Sequence, residues 1–328
     1  MGYNKQNYKR IRTEYETKAL RAQAAADERR EELYGEIPEL RLLDGQRSHC
    51  GLRILHTALY GEDTERGIAV LREENEQINA RRKALLEAHG YPADYSEPRY
   101  ECELCGDTGY VGIKMCTCMR RRLIEAGMES SGLLGLMQTQ SFENFSMDFY
   151  RRNPEELRVM EHNYRTAVRY AKEFTVGEGG ENSQSLLFLG GTGLGKTHLS
   201  TAIAREVIER GYDVFYNSAV GMLSDFEYRR FGNGLSQGEV EDTSRYIDCD
   251  LLIIDDLGTE VVNQFTLSCL YHVLNTRLNL HRPTLISTNL SSAELRKTYS
   301  DRITSRLMGE FLLLPFYGTD VRKQKLHR

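Results

Sequence analysis

Ser185-Leu-Leu-Phe-Leu189, Gly190-Gly191-Thr192-Gly193-Leu194-Gly195-Lys196-Thr197 and His198-Leu-Ser-Thr-Ala-Ile-Ala-Arg-Glu-Val-Ile-Glu-Arg-Gly211 follow one another without a gap and carry the strongest signal in the chain. The apolar run reads as a buried strand. The octapeptide fits G-x-x-x-x-G-K-[ST], and the remainder has a helical pattern stopped by glycine. Strand, glycine turn and helix N-terminus together make an anion cradle, because backbone N–H groups and the helix dipole converge on phosphate. Lys196 would reach the β/γ-phosphates, and the Thr197 hydroxyl would bind Mg²⁺. At ordinary glycine usage the pattern alone arises by chance in about one chain of this length in a hundred. The flanking strand and helix remove most such accidents, so the stretch predicts a site for ATP with Mg²⁺.

Outward from this point strands and helices alternate. Strand 185–189 is followed by helix 196–210, strand 213–217, helices within 218–247 and strand 251–255. Helix 264–280, strand 284–288, helices within 291–309 and strand 311–314 complete the series. Such alternation predicts an α/β domain with a parallel sheet covered by helices. The run from Cys249 to Asp256 is an apolar strand ending in two acids. After a P-loop, the first acid at such a strand end holds Mg²⁺ and the second orients the attacking water. Asp256 is one methylene shorter than the glutamate of many such ATPases, which predicts slow turnover and a nucleotide that marks a state. Strand 284–288 ends in Asn289, which is positioned to touch the γ-phosphate or the lytic water. Arg302 and Arg306 lie at i and i+4, on one helical face. Taken alone they read as solvated surface; an arginine finger is the functional alternative. Arg322, after the last strand, is a candidate third phosphate contact.

Residues 1–96 read as a charged helical region. One helix begins near Asp63, a candidate N-cap, and ends at His89 before Gly90 and Pro92. Its Ile68, Leu71, Asn75, Ile78, Arg82 and Leu85 follow 3-4-3-4-3 spacing. Two of those positions are polar, so helix packing is expected rather than a long coiled coil. Gly45, Gly51 and Gly61 are expected to punctuate the preceding helices. A further helix, Pro154 to Phe174, carries one apolar face, and 177–185 reads as a turn.

Residues 97–125 form a small unit of their own. Of seven cysteines, Cys102, Cys105, Cys116 and Cys118 cluster, whereas Cys50, Cys249 and Cys269 are scattered. Cys102-x-x-Cys105-Gly106 turns two thiolates toward one point, and a short strand returns the chain to Cys116-x-Cys118. Four sulfurs suit tetrahedral Zn²⁺, although C-x-C departs from the usual second pair. With all four ligands supplied by the protein, the zinc would be structural. Arg120-Arg121-Arg122 is ordinarily a solvated face, with phosphate contact as the alternative. Met222 to Phe231 mixes aromatics with arginines, which by itself reads as helix core with surface charge.

Composition bounds the remaining classes. The 328 residues are 40% hydrophobic and 28% charged, with a net charge of -5. That argues against a generally basic nucleic-acid coat. No apolar run approaches the ~20 residues of a membrane span. The charged N-terminal stretch has no secretory pattern, and an odd cysteine count argues for a reducing, cytoplasmic setting.

GGTGLGKTHL (190–199), LLIIDDLGTE (251–260), LISTNLS (285–291) and DRITSRL (301–307) together resemble the AAA+ ATPases. Within these they are similar to bacterial helicase loaders of the DnaC and DnaI type and to the related transposition helper IstB. The lead-in SFENFSMDFY (141–150) also resembles that group, and the likeness spans about 140 to 322. It implies an AAA+ ATPase domain over 140–328. Lys196, Thr197 and Asp255 become nucleotide and Mg²⁺ contacts, and Asp256 the catalytic acid. Asn289 becomes sensor 1, Arg306 the finger with Arg302 as competitor, and Arg322 sensor 2. The implied partners are a hexameric replicative helicase bound by the N-terminal part, single-stranded DNA, and further copies of the ATPase domain. A transposition ATPase, a small-molecule kinase and a non-hydrolysing scaffold are the competing readings. The second acid and the sensor and finger positions count against the kinase.

Overall fold

A computed structural model describes residues 3–60, 64–177, 184–232 and 243–326. Gly61, the expected cap Asp63 and residues 178–183 of the expected turn lie outside the described residues. The chain divides into two compact units, one of residues 12–119 and one of residues 1–11 with 120–328.

The first unit is built on three helices, α1 (Lys5–Glu36), α2 (Pro38–Tyr60) and α3 (Thr64–Ala88). Pro38 opens α2, where its missing N–H costs nothing. Leu33, Ile37, Leu40, Leu43 and Leu86 form the core. Of the two polar members of the α3 stripe, Arg82 is explained by its partners, whereas the Asn75 Oδ1 is buried without one among the described residues. Arg82 is buried and donates to Asp44 Oδ1 at 2.8 Å, Ser96 Oγ at 2.8 Å and the Ala93 carbonyl at 3.2 Å. The glycine expectation fails here, because α2 runs through Gly45 and Gly51 without a break. Packing of α2 on α3 outweighs a propensity loss of about 1 kcal/mol per glycine. A two-stranded antiparallel ribbon, β1 (Tyr110–Val111) with β2 (Lys114–Met115), completes this unit.

The second unit contains the sheet. Helix α4 (Thr117–Ser130) leads to α5 (Leu134–Met137), a 3₁₀ turn at Met147–Tyr150 and α6 (Pro154–Glu173). Then follow β3 (Ser185–Leu189), α7 (Lys196–Glu209), β4 (Val214–Ser218), α8 (Ala219–Phe231) and α9 (Arg245–Asp248). The series ends with β5 (Leu251–Leu257), α10 (Gln264–Asn279), β6 (Thr284–Thr288), α11 (Ser292–Thr298), α12 (Asp301–Gly309), β7 (Phe311–Pro315) and α13 (Val321–Leu326). The five strands lie in the order β4-β5-β6-β3-β7, and every pairing is parallel. Both faces are covered, as a parallel sheet requires. Leu186, Phe188, Leu251, Ile253 and Leu285 pack with residues of α6 and α7. Leu187, Leu252, Ile254 and Ile286 pack on the other face with residues of α8, α10 and α12. The α/β parallel-sheet expectation holds, and β6 is inserted between the P-loop strand and the strand bearing the two acids.

Candidate active site and metal centre

The glycine turn delivers its groups to the carboxyl end of the sheet. Gly195 caps α7 at φ 85°, and a Cβ there would press on the Phe145 ring and the Tyr150 hydroxyl, each at 3.0 Å. Glycine therefore satisfies both a left-handed backbone and a close approach. Tyr150 fixes the turn from below by donating to the Leu194 carbonyl at 2.9 Å. A cavity of about 210 Å³ opens above α7, lined by Thr192 to His198, Asp256, Asn289 and Arg322 among others.

Lys196 is buried, with an exposure of 5%. Its ammonium donates to the Gly190 carbonyl at 2.6 Å, the Gly191 carbonyl at 2.7 Å and Asn289 Oδ1 at 2.6 Å. Burial pulls its pKa below the usual lysine range, while Asp256 and Asp255 oppose that shift. The Thr197 hydroxyl donates to Asp255 Oδ2 at 3.0 Å. The strand therefore brings its first acid against the P-loop threonine.

The two acids lie inside β5 rather than after it. The ladder to β6 is irregular between Ile254 and Leu257, and Asp256 adopts φ 54°. A left-handed backbone at a non-glycine residue costs energy, and such sites cluster where function needs the geometry. The irregularity aims consecutive side chains differently: Asp255 is buried, whereas Asp256 lines the cavity. Asn289 Nδ2 donates to Asp256 Oδ1 at 3.4 Å. Burial raises the Asp256 pKa above the carboxylate range, and the neighbouring Asp255 charge adds to the shift.

Arg322 lines the same cavity, at the start of α13. Arg306 does not. It sits on α12, where Nε and a terminal nitrogen reach Asn275 Oδ1 at 3.2 and 2.6 Å. A terminal nitrogen also donates to the Tyr271 hydroxyl at 3.1 Å, and the guanidinium lies 4.7 Å from that ring's centroid. Arg302, one turn earlier, is exposed. The sequence reading missed four participants. Gln140 and His198 line the cavity, and the Tyr216 and Ser287 hydroxyls donate to Asp255.

In the other unit Cys102, Cys105, Cys116 and Cys118 converge, with all four sulfurs within 4.8 Å of one another. Cys102 and Cys116 are 3.9 Å apart at sulfur, and Cys105 and Cys118 are 3.6 Å apart. Four sulfurs at the usual Zn–S distance stand about 3.8 Å apart, so the set fits tetrahedral zinc. Gly106 turns at φ 55° as expected, but the next residue is equally important. Asp107 is buried in a left-handed conformation and accepts the backbone N–H groups of Cys102 at 2.8 Å and Glu101 at 2.9 Å. The Cys116 thiol is pulled down to about 7, chiefly by the Cys118 backbone N–H.

Residues 161–315 match the family model for IstB-like ATP binding protein. The chain is 28% identical over 196 residues to the replicative helicase loader DnaC of Escherichia coli (strain K12), covering 59% of this chain and 74% of the relative. Over these segments the second unit is similar to the DnaC/IstB-like AAA+ ATPases. The phage-like element PBSX protein XkdC of Bacillus subtilis (strain 168) is 27% identical to the chain over 215 residues, with 61% and 76% coverage. A crystal structure of the DnaC helicase loader is similar with a TM-score of 0.45 at 19% identity, covering 56% of this chain and 99% of that one. The DnaC/IstB-like segment contains the P-loop, both acids, Asn289 and Arg306, whereas Arg322 follows it. Among the described residues no helix is long and apolar enough to cross a membrane.

Proposed function

We propose that this protein is an ATP-dependent loader that delivers a hexameric replicative helicase to single-stranded DNA. The observation that carries the reading is the Asn289 bridge, with Lys196 on its carbonyl and Asp256 on its amide. One side chain thus joins the group that would hold the γ-phosphate to the acid that would orient water. Loss of that phosphate changes both ends of the bridge at once, as a state marker requires. Similarity to the replicative helicase loader DnaC supports the helicase half of the proposal.

In this account the backbone N–H groups of 190–197 and the Lys196 ammonium bind the phosphates. Mg²⁺, held by Thr197 and Asp255, would neutralise charge between the β- and γ-phosphates. Asp256 orients the attacking water, and Arg322 contacts phosphate from the cavity wall. Arg306 reaches a neighbouring subunit's nucleotide as the finger, with Arg302 as the competitor. Its contacts with Tyr271 and Asn275 set its direction before assembly. Zn²⁺ on the four cysteines is structural, and residues 1–96 bind the helicase. ATP holds the assembled state, and hydrolysis releases it, in a cytoplasmic setting.

The match to IstB-like ATP binding protein keeps one second reading, a transposition helper. Capture experiments with the full chain separate the two. Retention of a hexameric replicative helicase with ATP, and its release after hydrolysis, is the expected result. Retention of a transposase with no capture of helicase would overturn the loader reading.

A further inference from the structure

Asp255 is held from both neighbouring strands. From β4, the Tyr216 hydroxyl donates to Asp255 Oδ2 at 2.9 Å. From β6, the Ser287 hydroxyl donates to Oδ1 and its oxygen accepts the Asp256 backbone N–H at 3.0 Å. Thr197 is the third hydroxyl on this carboxylate, also at Oδ2. A cation shared by Thr197 and Asp255 would replace that third contact. The two strand-borne donors could remain, fixing the plane of the carboxylate while its remaining lone pairs face the cation.

Tyr216 is itself fixed at its backbone. Strand β4 is the edge of the sheet, so among the described residues its outer side has no strand partner. The Tyr216 N–H is covered there by the Ser131 carbonyl at 2.9 Å. Gly132 follows at φ 82°, and a Cβ on it would lie 2.9 Å from the Tyr216 carbonyl oxygen. The segment after α4 therefore lies directly against the residue that grips the acid.

We infer that Tyr216 is the positioning residue of the magnesium carboxylate, orienting Asp255 toward Thr197 and held in turn by Ser131 and Gly132. This rests on the reading of Thr197 and Asp255 as the Mg²⁺ contacts. Outer groups that orient metal ligands typically contribute 10–100-fold in metal affinity or activity. The test is Tyr216→Phe in the full chain, which removes one hydroxyl and keeps the ring. ATP affinity is measured across a Mg²⁺ titration and in excess EDTA, with thermal melting alongside. The Mg²⁺ concentration at half-maximal tightening should rise about tenfold, with EDTA affinity and melting temperature unchanged. An unmoved Mg²⁺ midpoint, an equal loss in EDTA, or a failure to fold would each overturn the inference. Lys196→Ala is measured in parallel. If it binds ATP like the parent, the phosphate-site reading fails. If it loses ATP while Tyr216→Phe matches the parent, only the positioning role fails.

Discussion

The Lys196 ammonium donates to Asn289 Oδ1 at 2.6 Å, joining the first turn of α7 to the end of β6. The contact depends on strand order. Strand β6 pairs with β3 on one side and β5 on the other, so its end faces both the P-loop and the two acids. Ligands of parallel α/β sheets bind at the carboxyl ends of the strands, and here three such ends converge.

Lys196→Ala should abolish tight ATP binding while the protein stays folded. The lysine is buried, yet its three acceptors can all be reached by water once the cavity is enlarged. Equilibrium binding of a fluorescent ATP analogue, with circular dichroism as the control, measures this. Parental affinity in the variant would count against the phosphate site.

The cysteine cluster should hold one Zn²⁺ per chain. A closed thiolate site contributes its binding energy to folding, so chelation should unfold the segment around Cys102–Cys118. Metal analysis of protein purified under reducing conditions, followed by melting with and without chelator, gives the answer. Zinc-free protein with an unchanged melting curve would contradict it.

Much of this site was legible in the sequence because its signals are short-range. The P-loop sits between its own strand and helix, and the cysteines turn on local spacing. Asn289 and Asp255 were legible from their positions at apolar strand ends. Tyr216 and Gln140 were not, because each meets the site from far away in sequence and lies in no motif; Ser287 lies within 285–291, but its bond to Asp255 depends on the pairing of β6 with β5. The irregularity at Asp255–Asp256 was also hidden, since a β-bulge follows from pairing with β6 rather than from composition. Gly45 and Gly51 misled for the opposite reason: local propensity favours a break, and packing between α2 and α3 overrides it.

A pH-dependent stability effect should come from Asp213. Burial pushes its carboxyl up to about 6, against the pull of Arg245 at 3.8 Å and the Asn4 amide at 3.1 Å. Its backbone N–H donates to Asp250 Oδ2 at 2.9 Å, which adds a nearby acid. The folded-state value exceeds the unfolded one of about 3.9, so the folded protein holds the proton more tightly. The resulting stability is complete below about pH 4 and is lost as pH rises through about 6. Relative to the parent, Asp213→Asn should therefore gain on the order of 2 kcal/mol between about pH 4 and pH 7. Denaturant unfolding at both pH values measures the difference, and a flat difference would refute the assignment.

Phosphate release by mixed subunits separates the proposed DNA-linked ATPase completed across a subunit boundary from one that each subunit carries alone. Arg306→Ala subunits lack the finger but keep the acid, whereas Asp256→Asn subunits have the opposite defect. A finger supplies on the order of 10³-fold in rate, so each variant alone should be nearly inactive on single-stranded DNA. Mixed on single-stranded DNA, some interfaces unite an intact acid with an intact arginine, and release should reappear. Arg302→Ala in place of Arg306→Ala identifies which arginine acts. If mixing restores nothing and both arginine variants release phosphate at the parental rate, the assembled-ATPase account is contradicted.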